Sequence, residues 1–260
     1  ASPSGKFFAV PTFAHREGKV SHFFPMMQPS DQFVGKEVEL SQLGIQGLVS
    51  TGAVDEENAL LFMGDAETIL ACSWRDNDGD KAREELVPKY RLDSSGFTNA
   101  LAVFPNKRIV RAGEPRKVAI WTWDSDWQGE KENSKTTLSL APDADYTIKH
   151  FHPHPSAPTT LLASSSTSPV HKFACHALDF ENGGRVAARY IGHGGEVNAF
   201  GTSKGNRNVF VTACGDGYAR LWDVRVCLPV LTVESAWRAE GCRAVALCHP
   251  DGIPCEYLHL

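Results

Sequence analysis

The chain has 260 residues, a length that suits one large domain or two small ones. Hydrophobic residues at 42% can fill a core, and with charged residues at 22% the composition excludes a disordered or collagen-like chain. Lys and Arg number 26 against 31 Asp and Glu, and the resulting net charge of -5 argues against a surface that tracks nucleic acid throughout. No apolar run reaches the roughly 18 residues of a membrane span.

Taken in order, the elements repeat. The opening segment, ASPSGKFFAVPTFAHREGKVSHFF, reads as the later part of a strand unit that lacks its first strand. Ile45–Ser50 (IQGLVS) begins a first full unit, continued by ALLFMG and ETILACSW, and the following RDNDGDKAREELVPKYR reads as a solvated loop. Phe97–Phe104 (FTNALAVF), with RIVRAG and KVAIWTW behind it, begins a second. Ile148–His152 (IKHFH), with TLLASSS and VHKFACHAL, begins a third, and Val197–Thr202 (VNAFGT), with NVFVTACG and YARLWDV, a fourth. Cys242–Cys248 (CRAVALC) starts one more. The period is roughly fifty residues, and the turns FPN, HPHPSAP, TSKGN and HPDG separate the strands with Pro, Gly or Asn.

The apolar pattern alternates with period two, not the 3.6 of helices, and a polar stretch in each unit is available as a fourth strand. One four-stranded sheet cannot bury both its faces, whereas sheets stacked face to face around an axis can. The expected fold is therefore all-β, a β-propeller of four-stranded antiparallel blades. About five blades or parts of blades fall within a single domain over residues 1–260.

The unit from Gly192 to Arg225 reads GHGGEVNAFGTSKGNRNVFVTACGDGYARLWDVR, with Gly-His at its start and Trp-Asp at its end. It resembles the WD40 repeat. By that resemblance His193, Thr212, Asp216 and Trp222 form the structural hydrogen-bond tetrad of the blade. An imidazole between an Asp carboxylate and a Thr hydroxyl would satisfy groups that are costly to bury unpaired. The other units carry the motif in part: Trp123-Asp124 ends a third strand in the second, and Gly64-Asp65 supplies a turn in the first. The resemblance implies seven blades and roughly 340 residues, so the chain, starting at Ala1 and ending in IPCEYLHL, is expected to be truncated at both ends.

Seven cysteines, with no C-x-x-C pair, offer neither a zinc ribbon nor a redox dithiol. Several lie in apolar surroundings where a thiol acts as a small hydrophobe. With no N-x-[ST] acceptor and no secretory leader pattern, the expected location is cytoplasmic or nuclear.

Four other patterns invite chemistry. Gly201-Thr202-Ser203-Lys204-Gly205 matches the nucleophile elbow, but that motif needs a strand turning into a helix and here a strand follows. Asp76-Asn77-Asp78-Gly79-Asp80 begins like a calcium loop, then places Lys81 and Val87 where Gly and Glu belong. His150, His152 and His154 alternate and would share a face in an extended segment, yet the His-Pro pairs recur as turns of the repeat. Lys107, Arg108, Arg111, Arg116 and Lys117 crowd one hairpin, and Trp127 stands in the polar loop beyond; these six are the expected partner-binding residues.

With no catalytic constellation, the expected function is a non-enzymatic scaffold or adaptor that binds proteins or peptides on the propeller rim. No cofactor, metal, specific small molecule or membrane is called for, and nucleic acid is disfavoured by the net charge. A propeller enzyme or ligand-binding protein with a metal or carboxylates in its central channel is the main alternative. Recognition of phosphate or nucleic acid through the basic hairpin is a second.

Overall fold

The structure, a computed structural model, describes residues 7–12, 20–25, 36–39, 49, 51–55, 57–64, 68–75, 82–93, 98–104, 107–114, 117–122, 136–139, 147–165, 173–203, 205–236, 238–248 and 257–259. Strands dominate them, with one short 3-10 turn at Arg238–Glu240. By compactness the chain divides into two units, Ala1–Arg111 with Ile120–Thr136, and Ala112–Ala119 with Thr137–Leu260.

In the first unit, β1 (Phe7–Thr12), β2 (Val20–Pro25) and β3 (Lys36–Glu39) pair in that order. A four-stranded sheet follows in chain order: β4 (Thr51–Asp55), β5 (Leu60–Gly64), β6 (Thr68–Arg75) and β7 (Ala82–Asp93). A further four-stranded sheet, whose residues are shared between the two units, is ordered β11 (Thr136–Ser139), β10 (Lys117–Thr122), β9 (Arg108–Ala112), β8 (Ala100–Phe104). The second unit holds the sheet β12 (Ile148–Pro153), β13 (Thr160–Ser165), β14 (Cys175–Asp179), β15 (Arg185–Tyr190). Next comes β16 (Val197–Thr202), β17 (Val209–Cys214), β18 (Tyr218–Asp223), β19 (Leu231–Glu234), then the pair β20 (Ala246–Cys248) and β21 (Tyr257–His259).

Burial follows position in the sheet. Second strands are shielded on both faces: every residue of β5 and β13 is buried, as is all of β17 after Val209. That is why LLFM, TLLA and FVTAC read as continuous apolar or small-residue runs instead of alternating. The outermost strands of the last two full sheets are open, with only Tyr190 buried in β15 and nothing buried in β19. Sheets covered on both faces but bare along one edge are what face-to-face stacking requires. Consecutive first strands also lie side by side, β4 with β8 in the first unit and β12 with β16 with β20 in the second. At one such junction a Cβ on Gly64 would come within 2.7 Å of Thr98 Cγ2, so the glycine permits the close approach.

Three boundaries differ from the sequence expectation. The described first strand of the first full unit is Thr51–Asp55; of the expected Ile45–Ser50 only Val49 is among the described residues, and it stands outside a strand. The acidic-basic stretch expected as a loop supplies the twelve-residue β7. Its polar side chains stand on an edge strand, where alternation is relaxed, and Pro88 sits where the β6–β7 register shifts, so its missing N–H interrupts no regular ladder. Cys242–Cys248 is strand only over its last three residues; the Cys242 N–H is instead bonded to the Cys214 carbonyl at the end of β17, at 2.9 Å.

Candidate functional site

The most completely bonded polar cluster lies in the blade β16–β19. The β17–β18 register sets Phe210 opposite Trp222 and Thr212 opposite Arg220, so alternation turns these four side chains to one face. Trp222 and Thr212 are fully buried. The Trp222 Nε1–H donates to Thr212 Oγ1 at 3.0 Å, and Thr212 Oγ1 lies 2.9 Å from His193 Nε2. Indole can only donate, so the threonine proton is available to a neutral imidazole, which leaves the histidine proton on Nδ1. Nδ1 is buried without a hydrogen bond of ordinary geometry, although the Phe173 backbone is near enough to favour a proton there.

Burial pushes the His193 imidazole down to about 4, and the Arg220 charge acts the same way against the opposing pull of Asp216. The Trp222 ring stacks on Phe210 at 6.0 Å and meets Tyr190 of the preceding sheet edge-on at 5.8 Å. Leu162, Cys175 and Ala177 complete this core, which joins the two sheets.

Asp216 stands apart from that chain. Expected on the imidazole, its carboxylate instead takes Arg220 in a two-pronged pair, Nη1 to Oδ1 at 3.1 Å and Nη2 to Oδ2 at 2.7 Å. It also accepts the N–H groups of Gly194 at 2.7 Å and Tyr218 at 3.1 Å. Burial alone would raise its pKa, but the bonds from Arg220, Cys214, Gly194 and Tyr218 hold it well below the usual carboxylate range. The carboxylate thus ties the β17–β18 turn to the loop before β16. Gly194 and Gly195 make room for this: a Cβ on Gly195 would fall 2.7 Å from the Asp216 backbone nitrogen.

The remaining sequence candidates scatter. His152 Nε2 bonds Thr202 Oγ1 at 3.1 Å, and burial lowers its pKa to about 4. His154 Nδ1 accepts the N–H groups of Ser156 and Ala157 and so caps the turn after β12. His150 is exposed. Among the described residues no three His, Cys, Asp or Glu are grouped to hold a metal ion. Ser203 Oγ accepts the Gly205 N–H inside the β16–β17 hairpin, where β17 follows as a strand. Asp76–Asp80 lies outside the described residues.

The described residues of the basic hairpin differ in exposure. Arg111 is 3% exposed, because β9 is buried on both faces, and this corrects its expected place on the surface. Arg108 is half-buried with its guanidinium 5.6 Å from the Phe104 ring centroid. Lys107 is also half-buried, in a turn with φ of 55°, and the exposed Lys117 pairs with Glu114 at 3.2 Å. Arg116 and Trp127 lie outside the described residues.

Two features went unread in the sequence. Arg220 shares parity with Trp222 and so had to face inward, which a buried cation can do only beside a counter-ion; that signal was present in DGYAR. The exposed aliphatic run after β18 was also legible, in VCLPVL.

No family model matches the chain, and no curated protein sequence matches it. Among solved structures, the crystal structure of the WD40 beta propeller domain of Doa1 aligns over 88% of this chain with a TM-score of 0.58 and 16% identity. The alignment spans 66% of that structure, slightly under two thirds of its length. At this identity the likeness shows the fold alone: an all-β propeller architecture of four-stranded antiparallel blades.

Proposed function

We propose that this chain is a non-enzymatic interaction scaffold that binds other proteins on the rim and loops of a WD40-type propeller. The observation that carries the reading is how the best-formed blade uses its reactive side chains. Thr212, Trp222, Asp216 and Arg220 spend their hydrogen bonds on one another and on neighbouring backbone, and none is held ready for a substrate. The four residues assigned to the tetrad then serve stability, three as a hydrogen-bonded chain and Asp216 as the counter-ion of Arg220. A cytoplasmic or nuclear setting accords with the five cysteines that are free of disulfides among the described residues, four of them buried.

Affinity capture with the purified chain under reducing conditions, with partners quantified by mass spectrometry, tests this reading. A stoichiometric protein partner is the expected result. Absence of any stable partner, together with hydrolase turnover that depends on one side chain, would replace the scaffold with an enzyme.

A further inference from the structure

Four large aliphatic side chains after β18, together with Ile191 after β15, turn toward water. Ile191 is 54% exposed, Val226 45%, Leu228 57%, Val230 53% and Leu231 51%. Together they offer on the order of a few hundred Å², about what the largest apolar patch on a typical monomer amounts to, and such patches mark interaction sites. The segment is pinned. Its Val226 N–H bonds the Asp223 carbonyl at 3.0 Å, the Ile191 N–H bonds the Cys227 carbonyl at 3.0 Å, and the Val230 N–H bonds the Leu221 carbonyl at 2.9 Å. The Tyr190 hydroxyl donates to the Val224 carbonyl at 3.1 Å, and Pro229 rests against Gly192, whose φ of 127° no ordinary side chain tolerates. Aliphatic groups already held in place lose little freedom when something covers them.

The charge beside the patch has a sign. Arg225 neighbours Val226 and is paired with Asp223, which cancels the nearby carboxylate. The Val224 N–H bonds the Asn208 carbonyl at 2.8 Å, which brings the exposed Arg207 to the same end, and Arg207 makes no ion pair among the described residues. Two cations against one carboxylate leave this end of the patch positive on a chain whose net charge is -5.

Resting on the scaffold reading, we propose that this patch docks a linear segment of another protein in which aliphatic side chains alternate with carboxylates. The aliphatic groups supply affinity, and the carboxylates select this end through Arg207 and Arg225. A two-fold pairing of the patch with itself is the poorer occupant, since it would set like charges against each other.

The test uses the full chain and a short fluorescein-labelled peptide alternating leucine and glutamate, with a twin carrying lysine for glutamate. Anisotropy titrations should show the glutamate peptide binding about tenfold or more tightly than its twin. Leu228→Ser with Val230→Ser should weaken that binding about tenfold, and Arg207→Glu several-fold. These side chains are exposed, so circular dichroism should match the parent. Bound peptide should slow alkylation of the exposed Cys227, read by mass-mapped labelling. Equal binding of the two peptides, or binding untouched by the double variant, overturns the proposal. So does Cys227 protection that grows with protein concentration alone, which would mark a self-associating face. A partner captured by the chain and still held by the double variant refutes this surface while leaving the scaffold reading intact.

Discussion

Removing the Asp216 carboxylate should expose the main electrostatic dependence of the β16–β19 blade. The side chains of Asp216 and Arg220 are 14% and 9% exposed, so the pair is largely shielded from water. In Asp216→Ala the guanidinium would remain buried without its counter-ion, a change that costs about 3–5 kcal/mol. The Gly194 and Tyr218 N–H groups also lose their acceptor, but Gly194 is exposed and water can replace it, so Arg220 dominates the loss. Hydrogen exchange of β17 and β18 amides reads this locally, and a loss of that size should speed exchange roughly 10²–10⁴-fold. Adding Arg220→Met removes the stranded charge and should recover about half or more of the deficit. A carboxylate serving His193 would give the opposite pattern, with His193→Leu rescuing and Arg220→Met not. Either that outcome or exchange at the parental rate in Asp216→Ala would refute the reasoning.

Trp222→Ala removes a fully buried ring that touches Tyr190, Phe210 and His193 and should cost about 3–5 kcal/mol in urea unfolding. Thr212→Val keeps the shape but strands two ring nitrogens, and about 1–3 kcal/mol should be lost. If both variants unfold at the parental midpoint, the Trp222–Thr212–His193 chain contributes nothing. Gly195→Ala would drive a methyl into the Asp216 and Gly215 backbone at 2.7 and 3.0 Å and should lower the melting temperature by several degrees, on the order of 1–3 kcal/mol of strain, whereas an unchanged melt would show that the loop yields. Acid should destabilise the fold between about pH 6.5 and pH 4. His193 and His152 are held neutral down to about 4, against about 6.5 in an unfolded chain. The unfolded chain therefore binds more protons in that window, so stability is full above it and falls as pH drops, by ~3 kcal/mol for His193. Melting temperatures that stay flat across this range would contradict both placements.

The β16–β19 blade was legible because its chemistry is local. Gly192-His193 and Trp222-Asp223 frame it, β16 runs over the expected Val197–Thr202, and the hairpins follow the turn residues. Second strands announced themselves as unbroken apolar or small-residue runs, since a strand covered on both faces has no polar side to show. Edge strands were harder. Nothing in the composition of β7 separates it from a loop, because its place in the sheet comes from main-chain pairing to β6.

What the amino-acid order determined by itself was the repeat, the all-β class and the identity of the residues that can hydrogen-bond inside a blade. What only the tertiary structure decided was which of them meet. Asp216 had two possible partners within reach of its turn, and the parity of β18 delivered Arg220 to it while Thr212 took the imidazole. Arg111 left the expected basic surface for the same reason: adjacency along a strand says nothing about side, and β9, covered on both faces, drew it inward. Pairing of charges and exposure of faces depend on neighbouring sheets tens of residues away, and those distances close only in the fold.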